Sequence, residues 1–200
     1  MIVYVETNFL IDFGVKQESF PVTERILELA EASKIDLALP ALAFLEAIHT
    51  VEGWRTKRAQ LATALRSETA QLRRSPPEAQ RVAAFEATAG ELIQLDGEQR
   101  THLQAAARRV LSASRLLPIN LGSLDLAIES QRALLLDPAD SIVYSAIVTD
   151  LEAQDQETPK CFLSRDRRFD AAAQRELALL GCRFIQSFAD GLAFIESLNE

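Results

Sequence analysis

Short β-branched runs alternate with helix-length amphipathic segments at both ends of this chain, and few folds accommodate that alternation. Ile2, Val3 and Val5 form a continuous apolar run, the pattern of a strand covered on both faces rather than wetted on one. A short apolar helix from Phe9 towards Phe13 follows, with Thr7 or Asn8 as its cap. Pro21–Ser33 reads as an amphipathic helix with Val22, Ile26, Leu29 and Ala30 on one face, and Asp36–Leu39 as a second strand stopped by Pro40. A long helix starts near Ala41, buries Leu42, Leu45, Ile48 and Val51, and reaches about Arg74, where Ser75-Pro76-Pro77 ends it. Helix resumes from Glu78 to about Leu116, with a break expected near Asp96-Gly97. Leu116–Asn120 reads as a third strand, Ser123–Leu134 as a helix, and Asp137-Pro138 opens another running through Asp150. Lys160–Ser164, Asp166–Leu180, Cys182–Gln186 and Ser187–Leu198 then read as strand, helix, strand and helix. The expected fold class is α/β with a parallel sheet. Residues 1–200 are expected to form one domain with a helical insertion at about 52–114.

Charge is divided unevenly along the chain. The net charge is −8, which argues against a general nucleic-acid coat protein. Residues 51–115, however, hold eleven lysines and arginines against seven carboxylates, while the remainder holds ten against twenty-two. A mildly basic middle thus sits on an acidic body. Cys161 and Cys182 both fall in short apolar runs, as buried reduced thiols do, so neither a disulfide nor a metal framework is expected. Met1 leads straight into the first strand without a signal peptide, and no apolar run approaches the ~20 residues of a membrane span. The expectation is a cytoplasmic protein with no membrane association.

Four acids occupy positions where chemistry is done. Glu6 follows the first strand, at the carboxyl edge where open α/β sheets place their ligands. Glu46 lies one and a half turns into the helix after strand two, within the otherwise apolar ALAFLEAIHT. Asp140 opens DPADSIVYSAIV, and Asp166 directly follows strand four in CFLSRDRRFD. Taken singly, each suits a plainer role: helix cap, first-turn partner of the helix dipole, or surface acid. Together they belong to one edge of the sheet, and four converging carboxylates repel one another unless cations neutralise them. Hard oxygen donors suit Mg²⁺ or Mn²⁺, and metal-assisted phosphodiester hydrolysis is the natural chemistry. Thr7, Asn8 and Ser164 are candidates for holding the carboxylates in place. Asp170 is a candidate additional acid. Arg165, Arg167 and Arg168 are candidates for gripping substrate phosphate, with surface ion pairs as the alternative.

These residues carry a resemblance. Glu6-Thr7-Asn8, Glu46, Pro138-Ala139-Asp140-Ser141-Ile142-Val143 and Ser164-Arg165-Asp166 are similar, in order and in strand context, to the motifs of the PIN-domain nucleases, including the VapC-type toxin ribonucleases. The likeness covers roughly residues 1–50 and 115–200. It implies a three-layer α/β/α sandwich with a five-stranded parallel sheet in the order 3-2-1-4-5. It also implies a Mg²⁺- or Mn²⁺-dependent endoribonuclease, with Glu6, Glu46, Asp140 and Asp166 as catalytic metal ligands and RNA as substrate. A toxin paired with an antitoxin-like protein, and a homodimer, are further implications.

Two departures stand beside the likeness. The family's first acid is almost always Asp, whereas Glu6 is one methylene longer, which implies weaker Mg²⁺ use or a preference for Mn²⁺. The segment of about 52–114 also exceeds what a minimal PIN domain needs. Read as a helix, it places Trp54, Leu61, Leu65 and Leu72 on one stripe and Arg55, Arg66 and Arg73 on another. The arginines are candidate phosphate contacts; a helical hairpin packed on its own return helix is the alternative. The rival function is a catalytically inactive PIN fold kept as a binding module. A receiver-type phosphoacceptor lacks a strand-end lysine, and Glu46-x-x-His49 is only half of a di-iron motif.

Overall fold

Apolar runs buried along their whole length need neighbours on both faces, and β1 (Ile2–Val5) and β4 (Lys160–Leu163) are buried at every position. They pair in parallel with each other, β1 pairs with β2 (Asp36–Pro40), β2 with β3 (Ser114–Leu117), and β4 with β5 (Cys182–Ile185). The result is a five-stranded parallel sheet in the order β3-β2-β1-β4-β5. The order inferred from the resemblance is the one found. The computed structural model describes residues 1–74, 79–169 and 171–198. The helices are α1 (Thr7–Gly14), α2 (Phe20–Glu31), α3 (Ala41–Leu72), α4 (Ala79–Ala113), α5 (Leu121–Ala133), α6 (Pro138–Ala153), α7 (Ala171–Leu179) and α8 (Phe188–Ser197).

Strand alternation decides which helices cover which face. Tyr4 and Phe162 are register partners; the Tyr4 hydroxyl donates to Asp150 of α6 at 2.8 Å, and Phe162 packs edge-on against Phe169 and Phe184. Leu163 therefore points the opposite way, onto Gly191 of α8, and α2 packs beside α8. Helices thus cover both faces of the sheet, a three-layer α/β/α arrangement. A Cβ on Gly191 would lie 2.6 Å and 2.8 Å from the two Leu163 methyls. Because Leu163 is wholly buried, it has little room to yield. Gly191→Ala is expected to lower stability by about 1–3 kcal/mol through overpacking, seen as a lower urea midpoint with an unchanged slope.

The middle of the chain forms two long helices rather than a broken series. At 1.5 Å per residue α3 is about 48 Å long, and it pairs antiparallel with α4 through Arg55–Asp96 (2.8 Å), Arg58–Gln99 (2.5 Å) and Arg73–Glu86 (2.7 Å). Small side chains meet between them: Ala62 and Thr69 from α3, Val82 and Ala89 from α4 are buried. The expected stripe of Trp54, Leu61, Leu65 and Leu72 is therefore not the main seam between the two helices: Leu61 is 53% exposed, Leu65 and Leu72 are half-buried, and Trp54 packs in part against the core of the body. No break occurs at Asp96-Gly97, because Asp96 and Gln99 are tied across to α3 while the exposed Gly97 costs only about 1 kcal/mol. The expected stop at Ser75-Pro76-Pro77 lies outside the described residues. The root of the arm is fixed to the body by Leu103 and Ala106 against Gly14 and by Arg109 on Glu31 at 2.6 Å.

Two boundaries also move. β3 starts at Ser114 and ends at Leu117 rather than running Leu116–Asn120. Pro118 has no N–H for the ladder, and Asn120 is used as the α5 N-cap in a reciprocal capping box with Ser123. The α1 cap is Glu6, not Thr7 or Asn8. Cys161 and Cys182 are buried and free, as expected. Among the described residues no helix is long and apolar enough to cross a membrane.

Candidate metal centre

The carboxyl ends of β1 and β4 open into a cavity of about 320 Å³ lined by Glu6, Glu46, Asp140 and Asp166, with Arg168 the one cationic lining residue among the described residues. Each acid arrives on a different element. Glu6 leaves β1 in extended backbone and caps α1, its Oε2 accepting the Asn8 N–H at 2.9 Å. Glu46 projects from α3, and the Thr7 hydroxyl donates to its Oε2 at 2.9 Å. Asp140 stands in the first turn of α6, behind an Asp137 cap that accepts from the Ala139 and Asp140 N–H groups. Asp166 follows β4 in the loop before α7.

Ser164 links two of the four. Its hydroxyl is wholly buried, donates to Glu6 Oε1 at 3.2 Å and accepts the Asp166 N–H at 2.9 Å. The three candidate supporting residues thus touch the acids: Thr7 through Glu46, Asn8 through its backbone on Glu6, and Ser164 through Glu6 and Asp166. Asp170 lies outside the described residues.

Electrostatics separate the acids. Burial pushes the Glu6 carboxyl up to about 7, against hydrogen bonds from Asn8 and Ser164 that pull it down. Burial likewise raises Asp140 to about 7; Arg168 opposes this, while Asp137 and Asp166 add to it. Asp166 is also penalised by burial, but the Arg168 donors together outweigh that and leave it lowered.

Arg168 is the counter-charge of the cluster. Its Nη2 lies 2.6 Å from Asp166 Oδ2 and its Nη1 3.0 Å from Asp140 Oδ2, and it also pairs with Asp137. The Asp140 contact lacks hydrogen-bond geometry, so Asp140 Oδ2 is buried without a donor. Arg165 is engaged elsewhere. It binds Asp12 Oδ1 at 2.8 Å and Glu18 at 3.1 Å, and lies over the Phe188 ring. Of the three arginines read as phosphate ligands in this loop, only Arg167 is exposed and outside these pairs. In the arm, Arg55 is held by Glu52 and Asp96 and Arg73 by Glu86, while Arg66 is exposed. The hairpin alternative accounts for Arg55 and Arg73 directly.

Several site residues escape a sequence reading. Gln17, Thr50 and Trp54 also line the cavity, with Ile11 as an apolar part of its wall. Thr50 and Trp54 had a usable signal, since they follow Glu46 at four-residue steps on one helix face; Gln17 had none. Asp12, a lone acid in the apolar NFLIDF, is wholly buried under Arg165. Asp137, read from the sequence as the opening of a helix, is both the α6 cap and an Arg168 partner. A larger cleft of about 940 Å³ opens at the amino ends of the strands; of its charged residues Asp36, Arg115 and Glu31 are in ion pairs, and Lys34 lines it beside them.

As the side chains stand, no group of three or more acids, histidines or cysteines among the described residues is arranged to hold a metal ion. The donor set nonetheless suits a hard cation: all four groups are carboxylates, and Asp140 Oδ2 is a buried oxygen without a hydrogen bond. No protein-family model, curated protein or solved structure matches the chain.

Proposed function

We propose that this chain is a divalent-metal-dependent ribonuclease of the PIN type, hydrolysing RNA phosphodiester bonds at the cavity of Glu6, Glu46, Asp140 and Asp166. What carries the proposal is the meeting of four acids from separate elements in one cavity at the carboxyl edge of a parallel sheet. Structural acids at helix starts do not need a shared cavity. Glu6, Glu46, Asp140 and Asp166 would hold Mg²⁺ or Mn²⁺ once Arg168 withdraws. The ion would supply positive charge to the phosphoryl oxygens as the transition state forms.

The chain's own groups prepare that chemistry. Thr7 fixes the direction of Glu46; Ser164 and the Asn8 N–H fix Glu6. Raised carboxyls on Glu6 and Asp140 must lose their protons before they can serve a cation, so activity is expected to climb as pH rises through about 7. Arg168, at the same cavity, offers paired donors that match a phosphate. The direct test is cleavage of an unstructured RNA oligonucleotide by purified protein in Mn²⁺ and in EDTA. Cleavage in Mn²⁺ that EDTA abolishes is the expected result.

Glu6 offers a sharper test. Asp is the better helix cap, so Glu6→Asp is expected to keep α1 intact and to raise the ratio of Mg²⁺- to Mn²⁺-supported cleavage several-fold. A parent fully active in Mg²⁺ and damaged by this change would show a backbone already fitted to Glu. The contact of Arg168 with three acids favours one other reading, a PIN fold whose cluster is neutralised internally and which binds without cleaving. RNA binding with no cleavage in either metal would select it.

A further inference from the structure

Trp54 is the only tryptophan of the chain. It stands on α3 two turns beyond Glu46, with Thr50 between, and all three line the acid cavity. Its ring is half-buried and packs in part against the core. Among the described residues it takes part in no ring–ring or cation–ring contact, unlike Phe9, Phe13, Phe162 and Phe169. Thr50 and Gln17 line the same cavity, and their side chains carry a hydroxyl and an amide, groups able to bond the edge of a planar ring.

Charge indicates what such a wall is for. The net charge is −8, and three arginines in and around these elements are engaged by acids: Arg165 by Asp12 and Glu18, Arg168 by three acids, Arg55 by Glu52 and Asp96, which leaves the exposed Arg167 outside these pairs. Attraction to phosphate is therefore limited to Arg167 and to Arg168 once it leaves its acids, and a nucleic acid gains further affinity from base faces and edges. Faces and edges are exposed only on unpaired strands. The cavity, about 320 Å³, is at the small end for ligand sites, fit for one base and its phosphate rather than a duplex.

Resting on the ribonuclease reading, we infer that Trp54 is a stacking platform for an unpaired base beside the scissile phosphate, with Gln17 and Thr50 at the base edge. The cavity accordingly selects single-stranded RNA. Because the chain has one tryptophan, its own fluorescence reports the contact without any variant. Titration of the full chain with oligouridylate, in the absence of added metal, is expected to quench that fluorescence and saturate. An RNA duplex of equal length should bind at least tenfold more weakly.

Variants are read by anisotropy of a labelled oligouridylate, with circular dichroism melting to confirm the fold. Trp54→Phe is expected to bind within about threefold of the parent, and Trp54→Ala at least tenfold more weakly, as loss of one base stack implies. Equal quenching by duplex, or parent-like affinity in Trp54→Ala, would overturn the subsite. Cleavage by Trp54→Ala at the parent's rate and KM would overturn it while leaving the ribonuclease reading intact. Stacking of oligouridylate by a parent that never cleaves RNA would support the subsite and overturn the ribonuclease reading.

Discussion

Asp140→Asn is expected to abolish RNA cleavage, lowering the rate by ~10³ or more, while raising the thermal midpoint at neutral pH. The rate loss follows from removing a central metal ligand, which should cost several kcal/mol of transition-state charge stabilisation. The stability gain has a definite pH window. Asp140 is pushed up to about 7 by burial, so the folded state binds a proton more tightly than the unfolded chain does. Its contribution therefore falls as pH rises from the ordinary carboxylate range to about 7 and stays low above that. Asn carries no charge, so the variant's advantage should be full near pH 8 and vanish near pH 4. Arg168 keeps Asp137 and Asp166 as partners, so the loop is not released. Parent-like cleavage by Asp140→Asn would remove the nuclease claim.

The second large effect is on stability and lies beside the cavity. Arg165→Ala is expected to destabilise the fold by about 3 kcal/mol, the lower end for stripping one partner from a buried ion pair, because Arg165 is itself 29% exposed. Asp12 has no exposure and its Oδ2 already lacks a hydrogen bond. Burial raises its carboxyl and Arg165 pulls it back down. Without the arginine Asp12 should take up a proton, and the stability deficit should grow as pH rises above the ordinary carboxylate range. Urea denaturation at pH 5 and pH 8 measures both parts. Replacing the pair together, Asp12→Leu with Arg165→Met, should recover much of the loss, since two apolar groups leave no unpaired charge.

The sheet was legible because its strands are buried runs with a single periodicity, and Ile2–Val5 and Lys160–Leu163 carry no competing signal. Boundaries were less so wherever a residue serves two purposes. Asn120 ends the LLPIN run read as a strand but caps α5 in fact, and Glu6 caps α1 although it sits at the sheet edge expected for a ligand. The arm misled for another reason. A helix packed mainly by Ala62, Thr69, Val82 and Ala89 has no strong apolar stripe to read, so Leu61 and Leu65 drew attention that the small residues deserved.

The acids were readable as positions after strands and in first turns, and all four line one cavity. Their cation was not. Arg168 belongs to a run of arginines that reads as equally available for phosphate, and only three-dimensional placement shows that Arg165 serves Asp12 while Arg168 enters the cluster. Local sequence gives neither a buried partner 153 residues away nor the choice among adjacent like charges.

The most direct measurement of the central claim is anomalous scattering from crystals of the protein soaked in Mn²⁺. A manganese peak is expected among Glu6, Glu46, Asp140 and Asp166, with the Arg168 guanidinium withdrawn from Asp140 and Asp166. No peak at millimolar Mn²⁺, with Arg168 still seated on those two acids, would contradict that claim.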